Sequence, residues 1–283
     1  MFSLKAENAR GELLELTQNP AYVITSIEGL DPPDAVLNLY KQAGADGMVY
    51  NSATLDNRQL IITIAVNGPA EENRRALYRC FQTKKPVRIY YSNDSIEVYA
   101  DGYTQNMTVE FFGQKQIAQV TIICNDPYFH LTTPSVTHYN PDDIAMFEFP
   151  FSIPAVGIPF SEVNSYDMAT VINPGNVDCG IIIKLYASGS VSNPKVHHSE
   201  SDAFIKLSTS MQSGDVITID TRVGHKSITR KRGSTITNLI TDRTSGSSWI
   251  QVIPGENTFS ISATSGSSNL SADLEIIGDI EGV

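Results

Sequence analysis

His197-His198, with Cys179 and His225 elsewhere in the chain, are the residues whose types could ligate a metal. Imidazole and thiolate are ordinary zinc donors, but a site needs them converging on one point at about 2.0–2.3 Å. Adjacent residues of a strand project to opposite faces, so one ion cannot easily take both histidines. The pair reads as solvated loop residues, and no metal is expected. Asp215 and Asp220 flank an apolar run and could be paired carboxylates for glycoside hydrolysis. Five residues of extended strand would set them roughly 16 Å apart, whereas glycosidase carboxylates stand about 5–10 Å apart. Asp215, following Gly214, is more simply a turn residue. Trp249 is the only tryptophan. Stacking on a sugar, core packing and anchoring an interface are its three readings. Arg230-Lys231-Arg232, between Lys226 and Gly233, reads as a hairpin tip, either solvated or docked on an acidic neighbouring protein. Trp249, Arg230, Lys231 and Arg232 are therefore the candidate interface or glycan contacts.

Nucleophilic chemistry finds no footing. The chain has no G-x-S-x-G, no phosphate-cradling Gly-Lys loop and no H-E-x-x-H. Cys80 falls on the apolar face of a predicted helix and Cys124 at a strand end, so both read as small core hydrophobes. Three widely spaced cysteines without a C-x-x-C pair argue against a disulfide framework or structural zinc and suit a reducing cytoplasm. No catalytic residue and no cofactor are expected.

Composition narrows the partners. At 283 residues with 41% hydrophobic content and a net charge of -11, the chain can hold two packed domains. By count, residues 1–150 hold 11 Lys/Arg against 18 Asp/Glu, and the remainder 9 against 13. Neither half has the basic excess of a nucleic-acid clamp. An acidic surface repels phosphate instead, which suits a wall along which DNA slides. The N-terminal residues lack the basic start and apolar core of a signal peptide. No window holds the roughly 20 apolar residues of a membrane helix, so no membrane insertion is expected. The glycosylation patterns at Asn93 and Asn106 then read as chance matches.

The elements that must position these residues are mainly strands. Alternation marks Leu60–Val66, Val87–Tyr91 and Gln119–Cys124. One helix is predicted from about Pro69 to Phe81. Pro69 suits its start, Glu71 and Glu72 lie in the first turn, and Leu77, Cys80 and Phe81 share one face. The passage from Gly29 to Gly47 is irregular but carries Val36, Leu37, Leu39 and Tyr40. It is either an arm that buries them against something or an ordinary strand and turn. Six prolines between Pro127 and Pro159, with Phe147, Phe149, Phe151 and Phe160, mark an extended segment wrapping a surface. Beyond it, short strands between Gly-marked turns (Gly180–Tyr186, Asp215–Asp220, Thr258–Ser262 and a final Asp273–Ile277) indicate a two-sheet sandwich. The expected domains are 1–130, a linker 131–160, and 161–283.

The order of features in the first half resembles the distal tail proteins (Dit) of long-tailed bacteriophages. It runs from Gly29-Leu30-Asp31-Pro32-Pro33 through Gly44-Ala45-Asp46-Gly47, the Arg58-led strand, Asn73-Arg74-Arg75-Ala76-Leu77 and Lys84-Lys85-Pro86 to the exit Cys124-Asn125-Asp126-Pro127-Tyr128-Phe129. The second half resembles the galectin-like sandwich of the same family. The residues that carry this likeness are Asn173-Pro174-Gly175-Asn176, Ser213–Thr221, Trp249–Asn257 and the terminal Gly282-Val283. The resemblance implies an N-terminal β-sandwich or split barrel with one helix, built for a ring, followed by the sandwich. It further implies a homo-hexamer at the virion tail tip, assembled in the bacterial host cytoplasm, with a channel for DNA. The implied partners are the tail tube protein, the tail-tip or tail-associated (Tal) protein, and a receptor-binding or tape measure protein, without sequence-specific nucleic-acid binding. A carbohydrate-binding adhesin using the C-terminal sandwich is the alternative, although a galectin-like shape need not bind like a galectin. A glycoside hydrolase is disfavoured for want of paired acids.

Overall fold

The long apolar alternations form strands, and the computed structural model describes residues 2–111, 116–141, 144–145, 161–162 and 168–283. Two compact units result. One comprises Met1–Thr133 with Asp279–Val283, the other Pro134–Gly278. The expectation of a mainly β chain with one α-helix holds among the described residues.

The first unit contains β1 (Ser3–Asn8), β2 (Leu13–Glu15), β3 (Tyr22–Glu28), β4 (Ala35–Tyr40), β5 (Val49–Leu55) and β6 (Arg58–Val66). It continues with α1 (Ala70–Cys80), β7 (Pro86–Ser92), β8 (Glu97–Glu110), β9 (Gln116–Cys124) and β10 (Phe129–Leu131). Its main sheet is antiparallel in the order β2-β1-β7-β8-β9-β6-β3, so β2 and β3 are its two edges. Period-two burial follows the sequence: β6 buries Leu60, Ile62 and Ile64, and β9 buries Ala118, Val120 and Ile122. Helix α1 lays Leu77 and Cys80 into the same core, with Phe81 just past its end. Pro69 stands at the N-cap, where no intrahelical N–H is needed, and Glu71 and Glu72 in the first turn suit the helix dipole.

β4 and β5 pair only with each other, as a separate two-stranded sheet inserted between β3 and β6. Residues 35–55 are thus a hairpin arm separate from the main sheet, with Val36, Leu37, Leu39 and Tyr40 exposed and not buried against another surface of the described residues. Gly29 at its root must be glycine. Its φ is +90°, and a Cβ would stand 2.0 Å from the Gln59 carbonyl oxygen.

The root of the arm is held by a buried cation. Arg58 is 2% exposed. Its Nε donates to the Pro127 carbonyl at 2.7 Å and its Nη1 to Asp31 at 2.8 Å. It also donates to the carbonyls of Gly29 and Glu281. The guanidinium lies 4.2 Å over the Phe129 ring, a cation–π contact. Burial pulls its pKa below the ordinary arginine value, opposed by nearby Cys124, Asp126, Asp31 and Glu281.

Glu281 belongs to the C-terminal segment, whose return to the first unit departs from the sequence reading. That reading kept Gly282-Val283 with the sandwich. Instead Asp279–Ile280 pairs with β10, and the Val283 N–H reaches the Leu30 carbonyl at 3.0 Å. Beside them His130 Nδ1 is 2.7 Å from Asp279 Oδ1 and its Nε2 3.7 Å from Asp126. Burial pulls His130 down, but the hydrogen bond to Asp279 and the charges of Asp279, Asp126 and Asp101 hold it above its ordinary value.

The second unit is a sandwich. One sheet runs Ser135–Tyr139, Leu270–Ile276, Cys179–Ala187, Val216–Asp220, Ser227–Arg232, Thr235–Asn238. The other runs Met168–Asn173, Gly255–Ser262, Lys195–His198, Ala203–Lys206. Ile181, Ile183, Val196, Ile217 and Phe259 fill one core. Ser135–Tyr139 was expected in the Pro-rich linker, yet it is a strand on Leu270–Ile276. Pro134 precedes it, where a missing donor costs no ladder bond. Ile144–Ala145 pairs with Ser161–Glu162. The phenylalanines 147, 149, 151 and 160 lie outside the described residues.

Two outcomes follow. Arg58→Met should strand several buried carbonyls and lower the stability of the first unit by about 3 kcal/mol, judged from the typical penalty for unsatisfied buried groups. Calorimetry should show that unit's transition falling while the sandwich's stays. Second, the raised His130 value means its stabilisation is complete below the unfolded value, about 6.5, and fades as pH rises through the folded one. Melting of the first unit should therefore weaken as pH rises above about 6.5, and His130→Gln should remove that dependence.

Candidate functional site

Large apolar side chains that stay in water call for a partner. On the arm, Val36, Leu37, Tyr40, Met48 and Tyr50 are all more than half exposed. Two strands alone in water are marginal, and here both faces are uncovered. The turn Gly44–Gly47 carries positive φ at both glycines and holds Asp46 at the tip. The arm therefore presents an apolar surface that is exposed on both faces. It leaves the sheet next to β3, an edge strand with no further neighbour among the described residues. The opposite edge, β2, is equally open, with Leu13 exposed. Unpaired edges are hazards unless they are used.

The residues singled out from the sequence sit in the sandwich. Trp249 is half-buried against the core. Arg243 lies 4.9 Å and Lys226 5.8 Å from its ring centroid. A sugar stacking there has to compete with these two cations. Arg230, Lys231 and Arg232 end the Ser227–Arg232 strand of a hairpin whose second strand, Thr235–Asn238, is exposed throughout. The three do not act as one cluster. Arg232 makes a two-toothed bridge to buried Asp215, with Nε to Oδ1 at 2.8 Å and Nη2 to Oδ2 at 2.5 Å. That hydrogen bonding to Arg232 holds Asp215 below its ordinary value. Arg230 donates to the Ser210 carbonyl at 3.2 Å, and Lys231 is exposed.

Asp215 closes the turn Gln212–Asp215, its carboxylate accepting the Gln212 N–H at 2.9 Å, as a turn residue should. Asp220 is likewise bridged to Arg222 at 2.7 Å. Two acids each neutralised by an arginine make no acid/base pair.

The histidine pair is a correction. His197 and His198 lie on the Lys195–His198 strand, not in a solvated loop. His198 is wholly buried, with Ser201 Oγ at 2.7 Å, Asn257 Oδ1 at 3.0 Å and Glu200 Oε2 at 3.0 Å. His197 faces the other way to Asp202 at 2.9 Å. Among the described residues no three potential ligands converge on a metal position. All three cysteines are buried and none is in a disulfide among the described residues, and burial pushes the Cys80 and Cys124 thiols up to about 12. Such thiols stay neutral and unreactive. No helix among the described residues is long and apolar enough to cross a membrane.

Two family models match the chain. The phage tail protein RIFT-related domain covers residues 9–124, and the C-terminal domain of siphovirus-type tail components covers residues 174–273. Among solved structures, the Dit protein of phage SPP1, described as a paradigm of the hub adsorption apparatus in Gram-positive infecting phages, is 14% identical. The likeness covers 99% of both chains at a TM-score of 0.71. The phage P2 baseplate in its activated conformation with Ca is also 14% identical, over 100% of both chains at 0.59. At such identity the likeness is one of fold. No curated protein matches the sequence.

Because the arm's apolar residues are more than half exposed, Val36→Asp with Leu37→Asp should leave the melting of the first unit unchanged to within about 0.5 kcal/mol. The same change should lower the binding of a hydrophobic dye such as ANS. A large loss of stability would mean that the arm is part of the core.

Proposed function

Since the chain belongs to the siphophage distal tail (Dit) family and is a structural component of the phage tail, we propose that it is the ring-forming hub joining tail tube to tail tip. The observation that carries the reading is the uncovered apolar arm on a sheet with two open edges. A subunit with one projecting element and two unpaired edges can bury all three by repeating head to tail. A head-to-tail contact closes into a ring when its rotation divides the circle. The family resemblance supplies six as the number. The acidic balance, -11 over the chain, fits a lumen that repels the phosphate backbone and lets DNA pass without adhering.

In this reading the chain is no enzyme. The bridged acids, the half-covered tryptophan and the neutral thiols support that, because each is engaged in holding the fold. Its neighbours are the tail tube on one side and the tail-associated and receptor-binding proteins on the other, within the virion tail. Trp249, Arg230, Lys231 and Arg232 belong to the sandwich's contribution. Lys231 and the bare edge strand Thr235–Asn238 offer an acidic neighbour a strand to pair with and a cation to meet.

Size-exclusion chromatography with light scattering tests the hub. A mass near six chains, roughly six times the 30.9 kDa of one, with six-fold rings in negative stain, is the expected result. A monomer at all concentrations, including with a purified tail tube protein added, would remove the ring.

A further inference from the structure

Both ring nitrogens of His130 face carboxylates: Nδ1 stands 2.7 Å from Asp279 Oδ1 and Nε2 3.7 Å from Asp126 Oδ2. A neutral imidazole carries one N–H, so it serves one of these acids and turns a lone pair on the other. Only the imidazolium suits both. The His130 and Asp279 side chains are 19% and 17% exposed, so water and salt screen their pairing little. The other neighbours do not cancel this preference. Phe129 is wholly buried with Arg58 over it, and His130, next along β10, points to the opposite face. On that face β8 presents Glu97, Tyr99 and Asp101, with the Tyr99 ring 5.2 Å from the imidazole. Arg88 of β7 is committed to Asp101 through hydrogen bonds of 2.7 and 2.8 Å, and Tyr90 donates to Glu7 at 2.7 Å. Glu281 acts on Arg58 instead. Burial opposes the charged ring, yet Asp279, Asp126 and Asp101 outweigh it.

Asp279 starts the last pairing of the chain, with His130 opposite Asp279 and Phe129 opposite Ile280. Beyond it, the Val283 N–H reaches the Leu30 carbonyl at 3.0 Å. Gly282 lies so close to Pro32 that a Cβ would stand 2.8 Å from its Cδ. Ile280 and the partly buried Val283 are the segment's apolar contribution to the core. Its hold therefore depends on a two-residue ladder and on polar contacts. A terminal strand of this kind lies at the low end of local stability and opens without unfolding the whole unit.

We infer that His130 is a proton-operated latch on the chain end. With the imidazole protonated, Asp279–Val283 is clamped to β10 and to residues 30–32; with it neutral, the segment loosens while the rest of the sheet stays folded. Docking favours the protonated ring, so by linkage the proton favours docking. The clamp is complete below the undocked value, about 6.5, and is lost as pH rises through the higher, docked one. The neutral ring keeps its Nδ1–H bond to Asp279, so the segment slackens and does not leave. The latch works within one copy and does not depend on the ring.

Hydrogen exchange of the full-length protein, read by mass spectrometry and corrected for intrinsic rates, tests it. Protection of residues 279–283 should fall roughly fivefold as pH rises through the His130 titration, the difference between a hydrogen bond to a charged and to a neutral group. Protection of β6 and β9 should stay constant over the same range. Exchange of the His130 C2–H should place its own titration at the same midpoint. Asp126→Asn keeps the Asp279 bond and removes one acid, so the midpoint should move to lower pH. His130→Gln should flatten the profile. As a control, His138→Gln, which removes the exposed partner of Asp273 in the sandwich, should leave it unchanged. Protection of 279–283 that is constant across the titration, or that falls only together with β6 and β9, overturns the latch. So does a midpoint that Asp126→Asn fails to move.

Discussion

A single buried guanidinium holds the first unit closed. Arg58 is the first residue of β6, and its donors end on carbonyls from the root of the arm, from the exit loop after β9 and from the C-terminal segment. Carbonyl groups at chain reversals have no strand partner, and burying them unpaired would cost roughly 1–3 kcal/mol each. A planar group with five N–H donors answers several of them at once, which a lysine could not. The cost of burying the cation is met by those carbonyls, by the Phe129 ring beneath it and by three acids nearby. The position of the arm, the path of the exit loop and the docking of the chain end thus share one cause.

That arrangement has a consequence for folding. The first unit is discontinuous: its last strand, Asp279–Ile280, is separated from its pairing partner β10 by the whole sandwich. Long-range pairing is slow because loop closure precedes any reward. The unit cannot complete its hydrogen bonds until the final residues exist. The sandwich between them is continuous in sequence and closes its own core. A domain inserted in this way ties the end of the chain to the base of the arm.

The surface follows a different logic from the core. In the sandwich several buried polar groups are matched: Asp215 with Arg232, Asp220 with Arg222, and His198 with Asn257, Ser201 and Glu200. These contacts fix turns and strand ends, and they absorb the side chains that chemistry would otherwise need. On the arm, and at the cleft lined by Arg10, Arg79 and Lys85, the matching stops. Apolar, acidic and basic groups are left exposed in separate places on one unit. For a tail component whose work is assembly, the informative residues are the unsatisfied ones.

Much of the fold was legible in the sequence because it depends on local periodicity. β6, β7 and β9 announced themselves by alternation, α1 by its proline, its acidic first turn and its Leu77–Cys80–Phe81 face, and one turn by Asp215. The sandwich was readable for the same reason, and Asp215 and Asp220 could be dismissed as a catalytic pair from spacing alone. What the sequence could not show were contacts whose partners lie far apart along the chain. Arg58 looked like the start of a strand, since its ligands sit 27 to 223 residues away. His198 looked solvated because its burial depends on Asn257 and Phe259. The strand Ser135–Tyr139 was hidden among prolines until Leu270–Ile276 paired with it. Arg10, Arg79 and Lys85 are scattered over 75 positions and converge only because α1 ends against the β1–β2 turn. The sequence by itself determined which segments are strands, helix and turns, through propensity and periodicity. Only the tertiary structure decided which distant groups meet, because that is set by the packing of the whole sheet.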